Sequence, residues 1–189
     1  IDIDDYMIFV YGPDGTVRQK INKDESLIIA SFACLGKTMF TNKYPDTAID
    51  IESIHYARNY KNKDLNDEVA KGDANWEPNP EYPANYIKDV VDNIGKYKVI
   101  FLTTAADALS ELDKINVRYS ILYPGQNRRQ QILSDARKRG NDDTFVAFLD
   151  TLLSTNSHRK SFEDLNSDNF VLFDDSKYIE QYIAENYIL

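Results

Sequence analysis

The stretch SLIIASFACLGKTMFTNKYPDTAIDIES, residues 26–53, decides how the rest of the chain is interpreted. Its first seven residues are apolar on both faces, which is typical of a strand buried in a parallel sheet. A glycine and a short helix follow, and we expect the helix to end before Pro45 because proline cannot continue it. TAIDIES, residues 47–53, indicates a second buried strand. The stretch therefore predicts a strand, a loop, a helix and another strand in succession.

Residues 31–38, SFACLGKT, partly match the phosphate-binding pattern G-x-x-x-x-G-K-[ST]. Gly36, Lys37 and Thr38 fill the last three positions, whereas Ser31 stands where the first glycine is expected. In such a loop, backbone N–H groups and the start of the helix hold phosphates, the lysine reaches the β- and γ-phosphates, and the threonine hydroxyl binds Mg²⁺. The predicted ATP-binding residues are Ser31, Ala33, Cys34, Leu35, Gly36, Lys37 and Thr38.

The alternative for this loop is a glycine-led helix start with an exposed lysine. The position of the motif after an apolar strand favours the phosphate site. Ser31 can serve there if its φ angle stays negative, and whether it binds phosphate or caps the turn is left open.

Two acidic residues end the second strand. Asp50 and Glu52 are two positions apart, so they lie on the same face of the strand. Carboxylates beside a phosphate site can hold Mg²⁺ or accept the proton of an attacking hydroxyl. We predict that Asp50 binds the metal and is catalytic; the alternative for both residues is a solvated strand end.

Composition limits the class of protein. Apolar residues make up 42% and charged residues 28% of the 189 residues, which is typical of a folded protein and predicts one domain over residues 1–189. No window approaches the roughly 20 apolar residues of a membrane helix, and the acidic start is unlike a secretory signal, so we expect a cytoplasmic protein without membrane contact. Net charge is −9, which disfavours long nucleic acid as a partner. One cysteine and two distant histidines do not suggest a zinc site.

The rest of the chain alternates strand and helix patterns. Residues 6–21 predict a β-hairpin through the turn GPDG, within an N-terminal segment 1–25 whose role is left open. Further strands are predicted at 98–104, 117–123 and 169–173, and further helices near 81–95, 105–115, 142–153 and 176–188. The sequence therefore predicts an α/β fold with a mostly parallel, five-stranded sheet and ligand sites at the carboxyl ends of its strands.

Two segments resemble the P-loop small-molecule and nucleotide kinases, the group that contains shikimate, gluconate and nucleoside monophosphate kinases. They are SFACLGKT, residues 31–38, and AIDIES, residues 48–53. NPEYPANYI and KRGN are most similar to the deoxynucleoside monophosphate kinase-like proteins of phages and Gram-positive bacteria. The resemblance covers residues 27–187 and implies a three-layer P-loop NTPase fold that binds ATP and Mg²⁺. The predicted strand VIFLTT, residues 99–104, lacks the acidic residue of a Walker B motif. The resemblance therefore implies that Asp50 binds the metal.

The resemblance also implies a lid at residues 124–141 and an acceptor-binding flap at residues 53–86. Arginines stabilise the charge of a transferring phosphoryl group, and Arg128 and Arg137 are the predicted catalytic pair; a solvated helix face is the alternative. The residues predicted to contact the acceptor are Glu52, Arg58, Asn85 and Tyr86, with core packing as the alternative for Tyr86.

Three functions stay open at this point. The first is a kinase that transfers the γ-phosphoryl group of ATP to a small acceptor, with a nucleoside monophosphate favoured. The second is a nucleotide-binding module without efficient transfer, suggested by the missing glycine and Walker B acid. The third is a kinase that acts on nucleic-acid ends or modified bases. The acceptor and any oligomeric state are not determined by the sequence.

Overall fold

The computed structural model describes residues 9–11, 17–62, 74–174 and 177–189. Short strands, most of them apolar, form the centre of the protein. In chain order the strands are β1 (Phe9–Tyr11), β2 (Val17–Lys20), β3 (Leu27–Ser31), β4 (Ala48–Ile51), β5 (Arg58–Tyr60), β6 (Trp76–Pro78), β7 (Val99–Leu102), β8 (Ser120–Pro124), β9 (Asn169–Phe173) and β10 (Tyr187–Ile188).

Helices connect these strands. They are α1 (Lys37–Lys43), α2 (Ile54–Ala57), α3 (Ala84–Asn93), α4 (Ala106–Lys114), α5 (Arg129–Lys138), α6 (Asp143–Ser154), α7 (Ser157–Lys160) and α8 (Ile179–Asn186), with a 3-10 turn at Gln126–Arg128. No helix within the described ranges has the length and apolar character needed to cross a membrane.

The main sheet has five strands in the order β4-β7-β3-β8-β9, and every neighbouring pair is parallel. Parallel neighbours place their carboxyl ends at one edge, so the loop after β3 and the end of β4 lie at the same edge of the sheet. The predicted α/β fold with a parallel five-stranded sheet is confirmed.

The central strands are apolar because both of their faces are covered. Ile29 of β3, Ile100 and Phe101 of β7, and Ile121 of β8 are fully buried. Each such side chain contributes about 1.5–3 kcal/mol through burial.

A second, smaller sheet contains the order β1-β2-β10. β1 pairs antiparallel with β2, as the predicted hairpin requires, but its turn lies outside the described residues and the complete hairpin stays a prediction. The closing helix ends at Asn186, two residues before the predicted limit, because Tyr187 and Ile188 pair in parallel with β2. This pairing buries Tyr187 and provides hydrogen-bond partners for its backbone.

Two helix ends explain where predicted boundaries hold or move. Gly95 follows α3 with a φ of 81°, and the N–H of Lys96 donates to the Asn93 carbonyl at 3.1 Å, so the chain leaves this helix through a tight turn that glycine permits. After α4, Asn116 has a φ of 57°, and the N–H of Val117 donates to the carbonyl of Leu112. This Schellman arrangement uses residues 116 and 117 to close the helix, so β8 begins at Ser120 and not at residue 117.

The predicted flap contains regular structure. Residues Arg58–Tyr60 and Trp76–Pro78 form an antiparallel two-stranded sheet, and α2 precedes it. The part between residues 63 and 73 lies outside the described residues. The division of the chain into flap and lid remains a prediction.

Candidate functional site

The loop after β3 has an unusual backbone. Cys34 has a φ of 63° and Gly36 a φ of 103°, so two residues of a five-residue connection are left-handed. A side chain such as that of Cys34 adopts this conformation at a cost of about 1–2 kcal/mol, which surrounding contacts must offset. None of the backbone N–H groups from residue 33 to residue 38 donates to a backbone carbonyl within the described ranges. Successive N–H groups in such a loop form an anion-binding concavity.

Contacts from two neighbouring segments hold the loop. The N–H of Phe32 donates to the Leu122 carbonyl of β8 at 3.0 Å, and the N–H of Ile179 donates to the Leu35 carbonyl at 3.0 Å. Leu35 is fully buried. Tyr178 lies against Gly36, and a Cβ atom at position 36 would be 3.4 Å from the Cβ of Tyr178. The start of α8 therefore forms one wall of the loop.

Gly36→Ala is expected to lower the free energy of unfolding by about 1–2 kcal/mol, since alanine is strained at this φ. The same change should weaken ATP binding, because relief of the strain moves the loop amides. Gly95→Ala is the matched control, with a comparable φ of 81° at the opposite edge of the sheet. Denaturant unfolding and ATP calorimetry on both variants check this. Both variants should lose stability, whereas only Gly36→Ala should lose binding, and unchanged binding in that variant contradicts the prediction.

Lys37 and Asp50 form an ion pair at the carboxyl edge of the sheet. Lys37 Nζ lies 3.6 Å from Asp50 Oδ1, and each side chain is 13% exposed. Lys37 is the first residue of α1, and Asp50 lies opposite Phe101 in the pairing of β4 with β7. The structure thus brings together two residues that sequence analysis had assigned to catalysis.

Arg139 reaches the same loop from the end of α5. Its guanidinium donates to Thr38 Oγ1 at 3.0 Å and to Cys34 Sγ at 3.8 Å. Burial raises the pKa of the Cys34 thiol, with Arg139 lowering it in part, so the thiol stays protonated at neutral pH. Within the predicted lid, residues 124–141, sequence analysis selected Arg128 and Arg137 and not Arg139. The order of the residues there gave no signal that Arg139 contacts the loop.

Arg128 lies in a different setting from the one predicted. It is 1% exposed, donates to the Lys177 carbonyl, and its guanidinium lies 4.7 Å from the ring centre of Tyr178. These contacts make it a support for the segment that walls the loop. Arg137 is exposed in the last turn of α5. The catalytic roles of Arg128 and Arg137 stay predictions.

Ser31 is the last residue of β3 and is 1% exposed. Its hydroxyl donates to the Phe32 carbonyl at 3.2 Å, and it is not among the described residues with positive φ. A serine is therefore accommodated at the position of the first loop glycine. Phosphate contact by Ser31 stays a prediction.

Hydroxyl groups and carboxylates surround the ends of β4 and β7. Glu52 is half-buried, and the neighbouring Ser53 hydroxyl accepts a 2.8 Å hydrogen bond from Thr103. The Tyr82 hydroxyl donates to Asp107 at 3.3 Å. Burial, reinforced by Asp107, raises the pKa of Tyr82 to about 12, so this phenol remains a neutral donor.

The other residues predicted to contact the acceptor mainly make contacts within the protein. Tyr86 is fully buried, and its hydroxyl donates to the Ile51 carbonyl at 2.9 Å. Asn85 donates to the Tyr56 carbonyl at 3.1 Å. The Arg58 guanidinium lies 4.2 Å from the ring centre of Trp76 across the β5–β6 pair. Their roles in acceptor binding remain predictions.

His158 joins the same edge of the sheet, which sequence analysis did not anticipate. Its Nε2 lies 3.0 Å from the Thr104 carbonyl, so this nitrogen carries a proton and donates. Its Nδ1 lies 3.1 Å from the Tyr123 hydroxyl. Burial lowers the pKa of His158 and favours the neutral ring. A single histidine in a polar segment gave no sequence signal for this position.

The predicted Mg²⁺ site has a small donor set. Within the described ranges no three His, Cys, Asp or Glu residues are grouped as for a metal. The Thr38 hydroxyl and the Asp50 carboxylate are hard oxygen donors near the loop, and Mg²⁺ is commonly held by one or two protein oxygens together with phosphate and water. These residues fit a metal that arrives with a nucleotide.

Comparison with known proteins adds no assignment. No protein-family model matches the chain, and no curated protein matches it.

Proposed function

We propose that this protein is an ATP-dependent phosphotransferase that moves the γ-phosphoryl group to a small acceptor. The observation that carries the proposal is the ion pair between Lys37 and Asp50 beside a left-handed loop whose N–H groups lack backbone acceptors in the described structure. The motif order in SFACLGKT and its resemblance to P-loop kinases support the same function.

Lys37 has the main electrostatic role in this proposal. Its ammonium group is largely buried, so its charge is less screened than that of a surface lysine. In ATP-bound protein it would move from Asp50 toward the β- and γ-phosphates, where charge develops during transfer. Asp50 holds the ammonium group at the loop until then.

Asp50 and Thr38 would hold Mg²⁺. When bound, the metal neutralises phosphate charge. When Lys37 moves toward the phosphates, the Asp50 carboxylate no longer faces its ammonium group, and the Arg139 contact orients the Thr38 hydroxyl. Thr38 lies in the first turn of α1 and Asp50 near the carboxyl end of β4, so the rigid sheet positions both residues.

Glu52 is the proposed proton acceptor for the attacking hydroxyl. The acceptor oxygen forms a bond to the γ-phosphorus while the bond from that phosphorus to the β–γ bridging oxygen breaks. The electron pair leaves with ADP, and the hydroxyl proton passes to the Glu52 carboxylate and then to solvent. Its half-buried position at the end of β4 is suited to this exchange.

Calorimetry with ATP and Mg²⁺, followed by an ADP-release assay, tests the proposal. The acceptor panel contains nucleoside monophosphates, which the resemblance favours, nucleosides and oligonucleotides. Binding with turnover on a small acceptor is expected. Tight binding with no turnover would instead indicate a nucleotide-binding module, turnover on oligonucleotides alone would indicate a nucleic-acid kinase, and absence of binding would refute the proposal.

Arg139→Ala is expected to weaken ATP binding by roughly 10-fold, because a charge-assisted hydrogen bond near the phosphates is lost. Lys138→Ala is the matched control, since its ammonium group is 76% exposed and lies 3.9 Å from Asp135. Calorimetric titration of ATP into both variants measures the effect. An equal change in the two variants would show that Arg139 acts through general charge alone.

A further inference from the structure

One face of α5 contacts both the loop after β3 and the wall of that loop. Gln131, Asp135 and Arg139 follow one another at intervals of four residues, so they lie along the same side of the helix. Arg139 contacts Thr38 of the loop, whereas Gln131 and Asp135 both contact Tyr178, directly before α8. The helix is therefore joined to the loop at one end directly and along its length through a single tyrosine.

The hydroxyl group of Tyr178 makes the contacts with α5. It donates to Asp135 Oδ2 at 3.2 Å and accepts from Gln131 Nε2 at 3.0 Å. A hydroxyl group donates one hydrogen bond and accepts others, so the two contacts are compatible. The bond to the Asp135 carboxylate is the stronger of the two because its acceptor is charged. Two successive turns of α5 are thus bonded to one oxygen atom.

The rest of the Tyr178 side chain lies against the loop. Its Cβ and Cδ1 atoms are 3.4 Å and 3.5 Å from the position that a Cβ atom would have at Gly36. The Arg128 guanidinium lies 4.7 Å from the centre of its ring. The N–H of Ile179, the next residue, donates to the Leu35 carbonyl at 3.0 Å. Tyr178 therefore packs on the loop with its ring while its hydroxyl group contacts α5.

We infer that Tyr178 is a positioning residue: its hydroxyl group holds α5 beside the loop after β3 and so keeps Arg139 in contact with Thr38 and Cys34. Arg139 makes both of those contacts from the end of the helix. A consequence is that ATP affinity depends on the Tyr178 hydroxyl through Arg139. This consequence rests on the proposed function, whereas the position of α5 does not.

The thiol of Cys34 reports on the position of α5 without any nucleotide. Cys34 is the one cysteine of the sequence, and it is buried. Burial is the main cause of its raised pKa, so separation of α5 from the loop would both expose the thiol and favour its ionisation. Tyr178→Phe keeps the ring and removes the hydroxyl group, so alkylation of Cys34 by iodoacetamide should become about fivefold faster, as expected for the loss of one hydrogen bond.

Tyr182→Phe is the matched control for the alkylation experiment. Tyr182 lies on α8, and its hydroxyl group is 3.5 Å from that of Tyr187, with no hydrogen bond to α5 among the described residues. Mass spectrometry follows alkylation of the wild type and both variants under conditions in which denaturant unfolding shows all three to be folded. The control should react at the wild-type rate. An unchanged rate in Tyr178→Phe, or an equal rise in both variants, would overturn the inference.

A double-mutant cycle tests the link with Arg139. Calorimetry first measures ATP binding by the wild type, so failure of the proposed function is recognised by itself, and the alkylation rates still decide the position of α5. Tyr178→Phe should weaken ATP binding about fivefold and add little to the roughly 10-fold effect of Arg139→Ala, because the hydroxyl group acts through that arginine. Unchanged ATP affinity in Tyr178→Phe, or effects of the two changes that multiply, would overturn the positioning role while the ATP site stands.

Discussion

Lys37→Ala is expected to reduce turnover by a factor on the order of 10²–10³ or more, the effect of removing one preorganised donor from a transition-state site. The lysine is 13% exposed and faces Asp50, so little solvent screening weakens its charge. Because the substitution leaves the largely buried Asp50 carboxylate without this cation, the variant should also unfold at a lower temperature. Steady-state ADP release and a thermal melt measure the two effects.

Lys43→Ala is the matched control for this experiment. Lys43 lies on the same helix, is 58% exposed and pairs with Glu180. Exposed pairs contribute little to stability, and its ammonium group is at the other end of α1, so turnover should be unchanged. Retained activity in Lys37→Ala would remove the loop from the mechanism, and an equal loss in both variants would point to a general effect of charge.

Asp50→Asn is expected to shift the Mg²⁺ dependence of turnover. Asparagine keeps the shape of the side chain but loses the charge that attracts the metal, so the Mg²⁺ concentration for half-maximal turnover should rise on the order of 10- to 100-fold. A Mg²⁺ titration at saturating ATP measures this shift. The variant also removes the partner of Lys37, so ATP binding is measured alongside.

Asp46→Asn serves as the control for Asp50. Asp46 is exposed and precedes β4, so it lies at the amino end of the strand that carries Asp50 at its carboxyl end. Its substitution removes the same charge at a distance from the loop. An unchanged Mg²⁺ dependence in Asp50→Asn would reassign that residue to holding Lys37 in place.

Much of the fold was predictable because its signals are local. The apolar runs at β3, β7 and β9 have the length and composition of buried strands, and Gly95 marks the end of α3. The end of the closing helix moved because of long-range pairing: Tyr187 and Ile188 pair with β2, which is distant in sequence. A local sequence pattern carries no information about a partner strand that is distant in the chain.

The candidate site was predictable in part for the same reason. Gly36, Lys37 and Thr38 are consecutive, and their order is itself the signal. The contact of Arg139 with Thr38, the burial of Arg128 and the position of His158 required the fold, since each joins residues far apart in the chain. Composition alone does not indicate which arginine of the predicted lid contacts the loop after β3.

The amino-acid sequence by itself determined the order of the five main-sheet strands and the residues of the phosphate-like loop, because hydrophobic period and glycine placement act over a few residues. The tertiary structure decided which side chains meet at the carboxyl edge of the sheet. Parallel pairing of β4, β7 and β3 brings Asp50 to Lys37 and the Thr103 hydroxyl to the Ser53 hydroxyl. Strand order and register set those distances, and both depend on burial of the whole core.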